Sequence, residues 1–152
     1  DLAEWLNDSV DAIRILGRSL ELTVDCNDLP PGLQVELDLK SMPYALTNLL
    51  RNAIKYAKSR IVVSAQVSAN RVLIHVDDDG IGIAPDERQK VFSAFTRLDR
   101  SRDRATGGYG LGLAIVRLVL EQHEGSALAD SSPLGGARFT LNWPLLHTVT
   151  QS

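Results

Sequence analysis

Leu2, Leu6, Val10, Ile13 and Leu16 recur at intervals of three and four, the spacing of one helix face, and predict a first helix. Segments 20–26 (LELTVDC) and 33–39 (LQVELDL) alternate apolar with polar residues instead. Both read as strands, separated by the break NDLPPG. The helical period returns in MPYALTNLLRNAIKYA, residues 42–57, after Ser41 and with Pro43 in the first turn, where a missing N–H removes no helix bond. RIVVSAQVS (60–68) and RVLIHVDDD (71–79) read as a hairpin about ANR. A short helix is expected over DERQKVFSAF (86–95), after Pro85, and residues 96–107 are polar and irregular. LGLAIVRLVLEQH (111–123) reads as a third long helix ended by Gly125, with SALADS (126–131) and GARFTLNWP (136–144) as a closing pair of strands.

Strands in antiparallel-looking pairs with three substantial helices make an α+β fold, a two-layer sandwich of sheet and helices. The alternating βαβ order of a doubly wound parallel sheet is absent. The length of 152 residues suits one domain, 1–152. A net charge of −3 argues against a general nucleic-acid binder. The single cysteine, Cys26, excludes an internal disulfide and reads as a small core residue beside Val24. No apolar run approaches the roughly 18 residues of a membrane span. The chain opens at Asp1, without an initiator Met and inside an amphipathic segment, and is expected to be a piece of something longer.

Four stretches carry residue types that a core does not ask for. On the second helix, Asn48, Asn52, Lys55 and Tyr56 fall at i, i+4, i+7 and i+8 and share a face. A solvated stripe would favour paired Glu, Lys and Arg. Two asparagines one turn apart suit a ligand better, because an amide oxygen can enter the shell of a hard cation such as Mg²⁺. In VDDDGIGIAP (76–85), Asp78 continues the face of Val72, Ile74 and Val76, so its carboxylate must find a donor, for which an exocyclic amine such as that of adenine would serve. The bland alternative is an acidic turn over Asp77–Gly80. Gly80 and Gly82 free the backbone for close approach, and Ile81 and Ile83 offer apolar walls to a base. In FSAFTRLDRSRDRATGG, Phe92 and Phe95 serve as anchors while Arg97, Arg100, Arg102 and Arg104 offer guanidinium groups to a polyphosphate, unless the loop is plain surface. Finally, GGYGLGLAIV (107–116) matches neither G-x-G-x-x-G, since Leu113 holds the third position, nor a Lys-Ser/Thr phosphate loop. As a glycine run entering a helix it still favours a phosphate.

In this order and spacing, NLLRNAIKYA, DDGIG, VFSAFTRLD and GGYGLGLAIV resemble the N box, first glycine box, F box and second glycine box of sensor histidine kinases. The resemblance covers nearly the whole chain, and the ending GGARFTLNWPLLH is similar to that of the RstB-type kinases of proteobacteria. It implies the Bergerat-type α/β sandwich shared with DNA gyrase, a heat-shock chaperone family and the mismatch-repair ATPases, with a mixed, mostly antiparallel sheet. It implies binding of ATP and Mg²⁺. Asn52 corresponds to the Mg²⁺-binding asparagine, Asn48 to its helper one turn earlier, Lys55 to a phosphate contact and Tyr56 to a ring packed on adenine. These implied roles make Asn48, Asn52 and Lys55 the expected catalytic residues. Asp78 corresponds to the acceptor for the adenine amine, in a pocket shaped by Gly80, Gly82 and Ile83. Arg97 falls in an ATP lid of about 94–109. Gly108, Gly110 and Gly112, with Tyr109, Leu111 and Leu113 among them, correspond to the hinge and phosphate loop. A tail of about 145–152 follows the closing strand.

Two departures bound the chemistry. Where the gyrase and chaperone relatives carry a glutamate base, this chain has Asn48, and an amide takes no proton from water at neutral pH. Transfer to a protein nucleophile is therefore expected over hydrolysis. None of His75, His123 and His147 stands in a phosphoacceptor context, so the accepting histidine is expected upstream, on a separate dimerisation domain of a homodimeric kinase. The implied partners are that domain and a response regulator, and the implied location is the cytoplasmic side of an inner-membrane-anchored bacterial protein. The other readings are an ATPase or serine kinase of the same superfamily, against which Asn48 counts, and a module that binds ATP without transferring phosphate.

Overall fold

Helix α1 (Leu2–Ile13) begins where the Asp1 carboxylate caps it, accepting the Glu4 N–H at 3.0 Å, and it buries Leu2, Leu6, Val10 and Ile13. The computed structural model describes residues 1–17, 19–88, 90–92 and 110–145. The apolar periodicity predicted that Leu16 continues the buried face. Instead the chain tightens after Ile13 into a 3₁₀ turn, Arg14–Gly17, and the changed rotation per residue leaves Leu16 52% exposed.

Strand β1 (Glu21–Asp25) leads through an extended stretch to α2 (Met42–Tyr56), then to β2 (Arg60–Ser68) and β3 (Arg71–Asp78). After the segment that follows β3 come α3 (Gly110–Gln122), β4 (Ser126–Ser131) and β5 (Ala137–Pro144). The five strands form one sheet in the order β1-β2-β3-β5-β4. The α2 crossover makes β1 parallel to β2, and the remaining pairs are antiparallel. A two-residue connection, Ala69–Asn70, closes the β2–β3 hairpin with φ of 53° and 65°, the positive values that a type I′ turn requires.

One sheet face is the core. Ile61 and Val63 from β2, Ile74 and Val76 from β3, and Leu141 and Trp143 from β5 are all fully buried beneath Leu46, Leu49 and Leu50 of α2 and Val116 and Leu120 of α3. At about 1.5–3 kcal/mol for each large side chain removed from water, this layer dominates the folding energy. The opposite face carries cross-strand polar pairs, among them His75 Nδ1 with Thr140 Oγ1 at 2.8 Å and Arg71 with Asn142 Oδ1 at 2.8 Å. Burial and the Arg138 charge hold His75 below the usual imidazole range, so it is a neutral structural residue.

The expected strand over 33–39 is not formed. Its alternation is real, with Leu33, Val35 and Leu37 packed against the core, but among the described residues no strand lies alongside to make a ladder. Isolated hydrogen bonds hold it instead, among them Leu2 N–H to Leu33 O at 3.0 Å, Trp143 Nε1–H to Glu36 O at 3.1 Å, and Asp38 N–H to His123 Nε2 at 2.9 Å. Where a helix is expected over 86–95, the described residues form two 3₁₀ turns, Pro85–Glu87 and Lys90–Phe92, and residues 89 and 93–95 lie outside those described. Phe92 does anchor the segment, meeting Phe139 edge to face at 5.9 Å.

Candidate functional site

Helix α2 presents its polar residues at graded depth. Asn52 is buried at 6% exposure, Asn48 and Tyr56 are half-buried, and Lys55 reaches solvent with its Nζ 5.7 Å from the Tyr56 ring centroid. Asn48 Nδ2–H donates back to the Tyr44 carbonyl at 3.0 Å. Among the described residues, no donor meets Asn52 Oδ1 although that atom is buried. A buried acceptor without a donor is costly in a packed interior unless a ligand or ion completes it.

The end of β3 faces this helix. Asp78 is 1% exposed, and its Oδ1 accepts the N–H of Gly80 at 2.9 Å and of Ala137 at 3.2 Å. Burial pushes its carboxyl up, and these two N–H groups pull the other way. Gly80 and Gly136 make this arrangement possible. A Cβ on Gly80 would collide with the Tyr56 carbonyl, and a Cβ on Gly136 would collide with Asp78 Oδ1 and stand 2.5 Å from Gly80 N. The last turn of α2, the acidic turn and the start of β5 are thus in backbone contact.

Beyond this turn the two isoleucines differ. Ile83 is buried at 8%, whereas Ile81 is 73% exposed and offers no closed wall. Gly82 lies between them at φ +78°. Arg88 secures the far side, donating to Ile83 O at 3.3 Å, Asp130 Oδ1 at 3.0 Å and Ser131 Oγ at 2.9 Å. Gly110, Leu111 and Gly112 form the first turn of α3, and Leu113 below them is buried at 1%. Arg97, Gly108 and Tyr109, with Phe95 and the rest of the expected lid, lie outside the described residues, as does His147. The clefts beside Leu37 and His123, and beside Arg88 and Leu128, contain none of the predicted site residues.

Three contributors escaped the sequence pattern. Asp77, which reads as part of an acidic turn, is 4% exposed and forms a two-bond pair with Arg138, at 2.8 and 3.0 Å. Asp79 binds the connection that follows α2. His123, unremarked beyond its place at a helix end, holds Asp38 N–H through Nε2 while Nδ1 meets Val119 O at 2.8 Å. Only the unbroken run of three aspartates before a glycine hinted at the first two.

The model of the family described as histidine kinase-, DNA gyrase B- and HSP90-like ATPases matches residues 38–147. The sensor protein RstB of Escherichia coli is 44% identical over 151 residues, covering 99% of this chain and 34% of RstB. Full-length ShkA in complex with AMPPNP superposes with a TM-score of 0.80 at 26% identity, over 95% of this chain and 30% of that one. The ATP binding domain of PrrB from Mycobacterium tuberculosis gives 0.76 at 28% identity, over 96% and 95% of the two chains. The chain spans about a third of the length of the curated relatives it matches, 34% of RstB and 30% of the sensor histidine kinase CpxA.

Proposed function

The chain belongs to the histidine kinase-, DNA gyrase B- and HSP90-like ATPases, and from that premise we propose that its 152 residues are the ATP-binding catalytic domain of a sensor histidine kinase. It binds ATP and delivers the γ-phosphoryl group to a histidine on a separate dimerisation domain, from which a response regulator receives it. The observation that carries this reading is Asn52: a buried side chain on the helix matched by the family model, its amide oxygen without a donor among the described residues. Asn52 Oδ1 fits a hard cation, and Asn48 one turn earlier can assist it. Bound there, Mg²⁺ supplies charge neutralisation to the phosphates.

The protein's own residues do the rest by placement, which is most of what phosphoryl transfer demands. Asp78 accepts the adenine amine, Tyr56 packs on the base and Lys55 carries its charge to the phosphates. Arg97 and the glycines from Gly108 to Gly112 complete the phosphate side. Asn48 cannot take a proton from water, which favours transfer to a stronger nucleophile over hydrolysis. The intact kinase is placed at the bacterial inner membrane with this domain on the cytoplasmic side. Among the described residues no helix is long and apolar enough to cross a membrane.

Incubation with γ-labelled ATP, with and without the kinase's dimerisation domain, tests the reading. Label is expected on the dimerisation domain in the mixture and on nothing when this chain is alone. Label on this chain, or phosphate release approaching ~1 s⁻¹, overturns it.

A further inference from the structure

Asp79 has no part in the reading above, yet four donors converge on its carboxylate. Oδ1 accepts the backbone N–H of Lys58 at 2.8 Å, of Ser59 at 3.0 Å and of Arg60 at 3.2 Å. Oδ2 accepts the Ser59 hydroxyl at 2.6 Å. These bonds, those from Ser59 foremost, hold the carboxyl far below the usual carboxylate range. Residues 57–59 are the whole connection between α2, which ends at Tyr56, and β2, which starts at Arg60.

On either side of Asp79 stand Asp78, turned into the core, and Gly80, which leaves no room for a Cβ against the Tyr56 carbonyl. The carboxylate therefore fastens the connection leaving α2 to the turn that carries Asp78. A ligand that touches Asp78 at one end and Lys55 or Tyr56 at the other binds most tightly when the two are already at the right separation, because ordering them on binding costs affinity. We propose that Asp79 is a positioning residue for adenine nucleotide binding, fixing the last turn of α2 relative to Asp78. The proposal rests on the nucleotide reading above.

ADP titration by calorimetry into four forms of the chain tests it: unaltered, Asp79→Ala, Asp79→Asn and Arg71→Ala. Asparagine keeps an oxygen for the three N–H groups, whereas alanine removes every acceptor. Arg71 binds Asn142 and the Glu124 carbonyl at the other end of β3, so its loss weakens the fold without touching the turn. Expected is a loss of about tenfold or more for Asp79→Ala and recovery to within about threefold for Asp79→Asn. Arg71→Ala should keep full affinity even where its melting temperature has fallen as far.

Binding undiminished in Asp79→Ala, or diminished equally in Arg71→Ala, overturns the proposal alone. No ADP binding by the unaltered chain overturns the nucleotide reading and the proposal with it. Should Asp79→Ala not fold, amide hydrogen exchange on the unaltered chain decides. Saturating ADP should slow exchange at Lys58, Ser59 and Arg60, and unchanged exchange there overturns the proposal.

Discussion

Asp77, Asp78 and Asp79 are chemically identical neighbours with three different fates. The strand pleat sends Asp77 to the outer face, where Arg138 meets it, and Asp78 inward, where burial raises its carboxyl. Asp79, past the strand end, is depressed by the Ser59 hydroxyl and backbone donors. Their contributions to stability run oppositely with pH. The raised Asp78 favours the folded state most at pH below the ordinary carboxylate value of about 3.9, and that advantage disappears as pH rises through its folded value. The depressed Asp79 contributes fully above that ordinary value and loses its contribution as pH falls toward its folded one. In the adenine-binding role proposed for it, an ionised Asp78 would accept from the amine at position 6 of adenine, where guanine presents a carbonyl, a second acceptor. ADP is therefore expected to bind roughly ten- to a hundredfold more tightly than GDP, through a charge-assisted bond of ~1.5–3 kcal/mol. Asp78→Asn should narrow that ratio. On lowering the pH, the unaltered chain should begin to lose ADP affinity above the ordinary carboxylate range. An unchanged ADP-to-GDP ratio in folded Asp78→Asn removes the adenine role.

Elements were legible in the sequence where burial on one face enforced a period. Helix α2, the β2–β3 hairpin and α3 stand within a residue or two of where periodicity puts them. Period alone cannot say whether an alternating segment finds a neighbour, which is why 33–39 packs its apolar side without entering the sheet. Nor could spacing reveal contacts across long stretches of chain. Trp143 to Glu36 and His123 to Asp38 join residues distant in sequence, and Asp79 reads as an ordinary turn acid until its partners come into view. Asp78 stood out because a carboxylate that continues an apolar strand face needs a donor, and Asn52 because two asparagines one turn apart do not suit a solvated helix stripe. The extended segment yields an element-level expectation. Trp143→Phe deletes the Nε1–H bond to Glu36, leaving a carbonyl to find water, and leaves part of the buried indole's space unfilled. A loss exceeding the ~0.5–1.5 kcal/mol of the hydrogen bond alone should follow, with faster amide exchange over 33–38, measured by denaturant melts and exchange mass spectrometry. Unchanged stability and exchange would mean that apolar contact alone holds the segment.

At the scale of the whole molecule, the Ala69–Asn70 turn and Asp78 lie at opposite ends of β3, roughly 25 Å apart at the rise of a strand. Alanine at φ 53° occupies a conformation that costs an L-residue about 1–2 kcal/mol, and asparagine tolerates it better. Ala69 is exposed, so exchanging it disturbs no packing. Ala69→Asn is expected to raise the melting temperature by about 2–4 °C while leaving ADP affinity where it was. A changed affinity would show that the hairpin end and the nucleotide end are coupled. With affinity unchanged, the turn holds a reserve of stability that the natural chain leaves unused. Natural proteins keep only a thin margin above unfolding, and a variant at Asp78 or Asp79 that melts at the assay temperature can be rebuilt in that sturdier background. The chemistry of the site can then be varied more widely than the parent chain would survive.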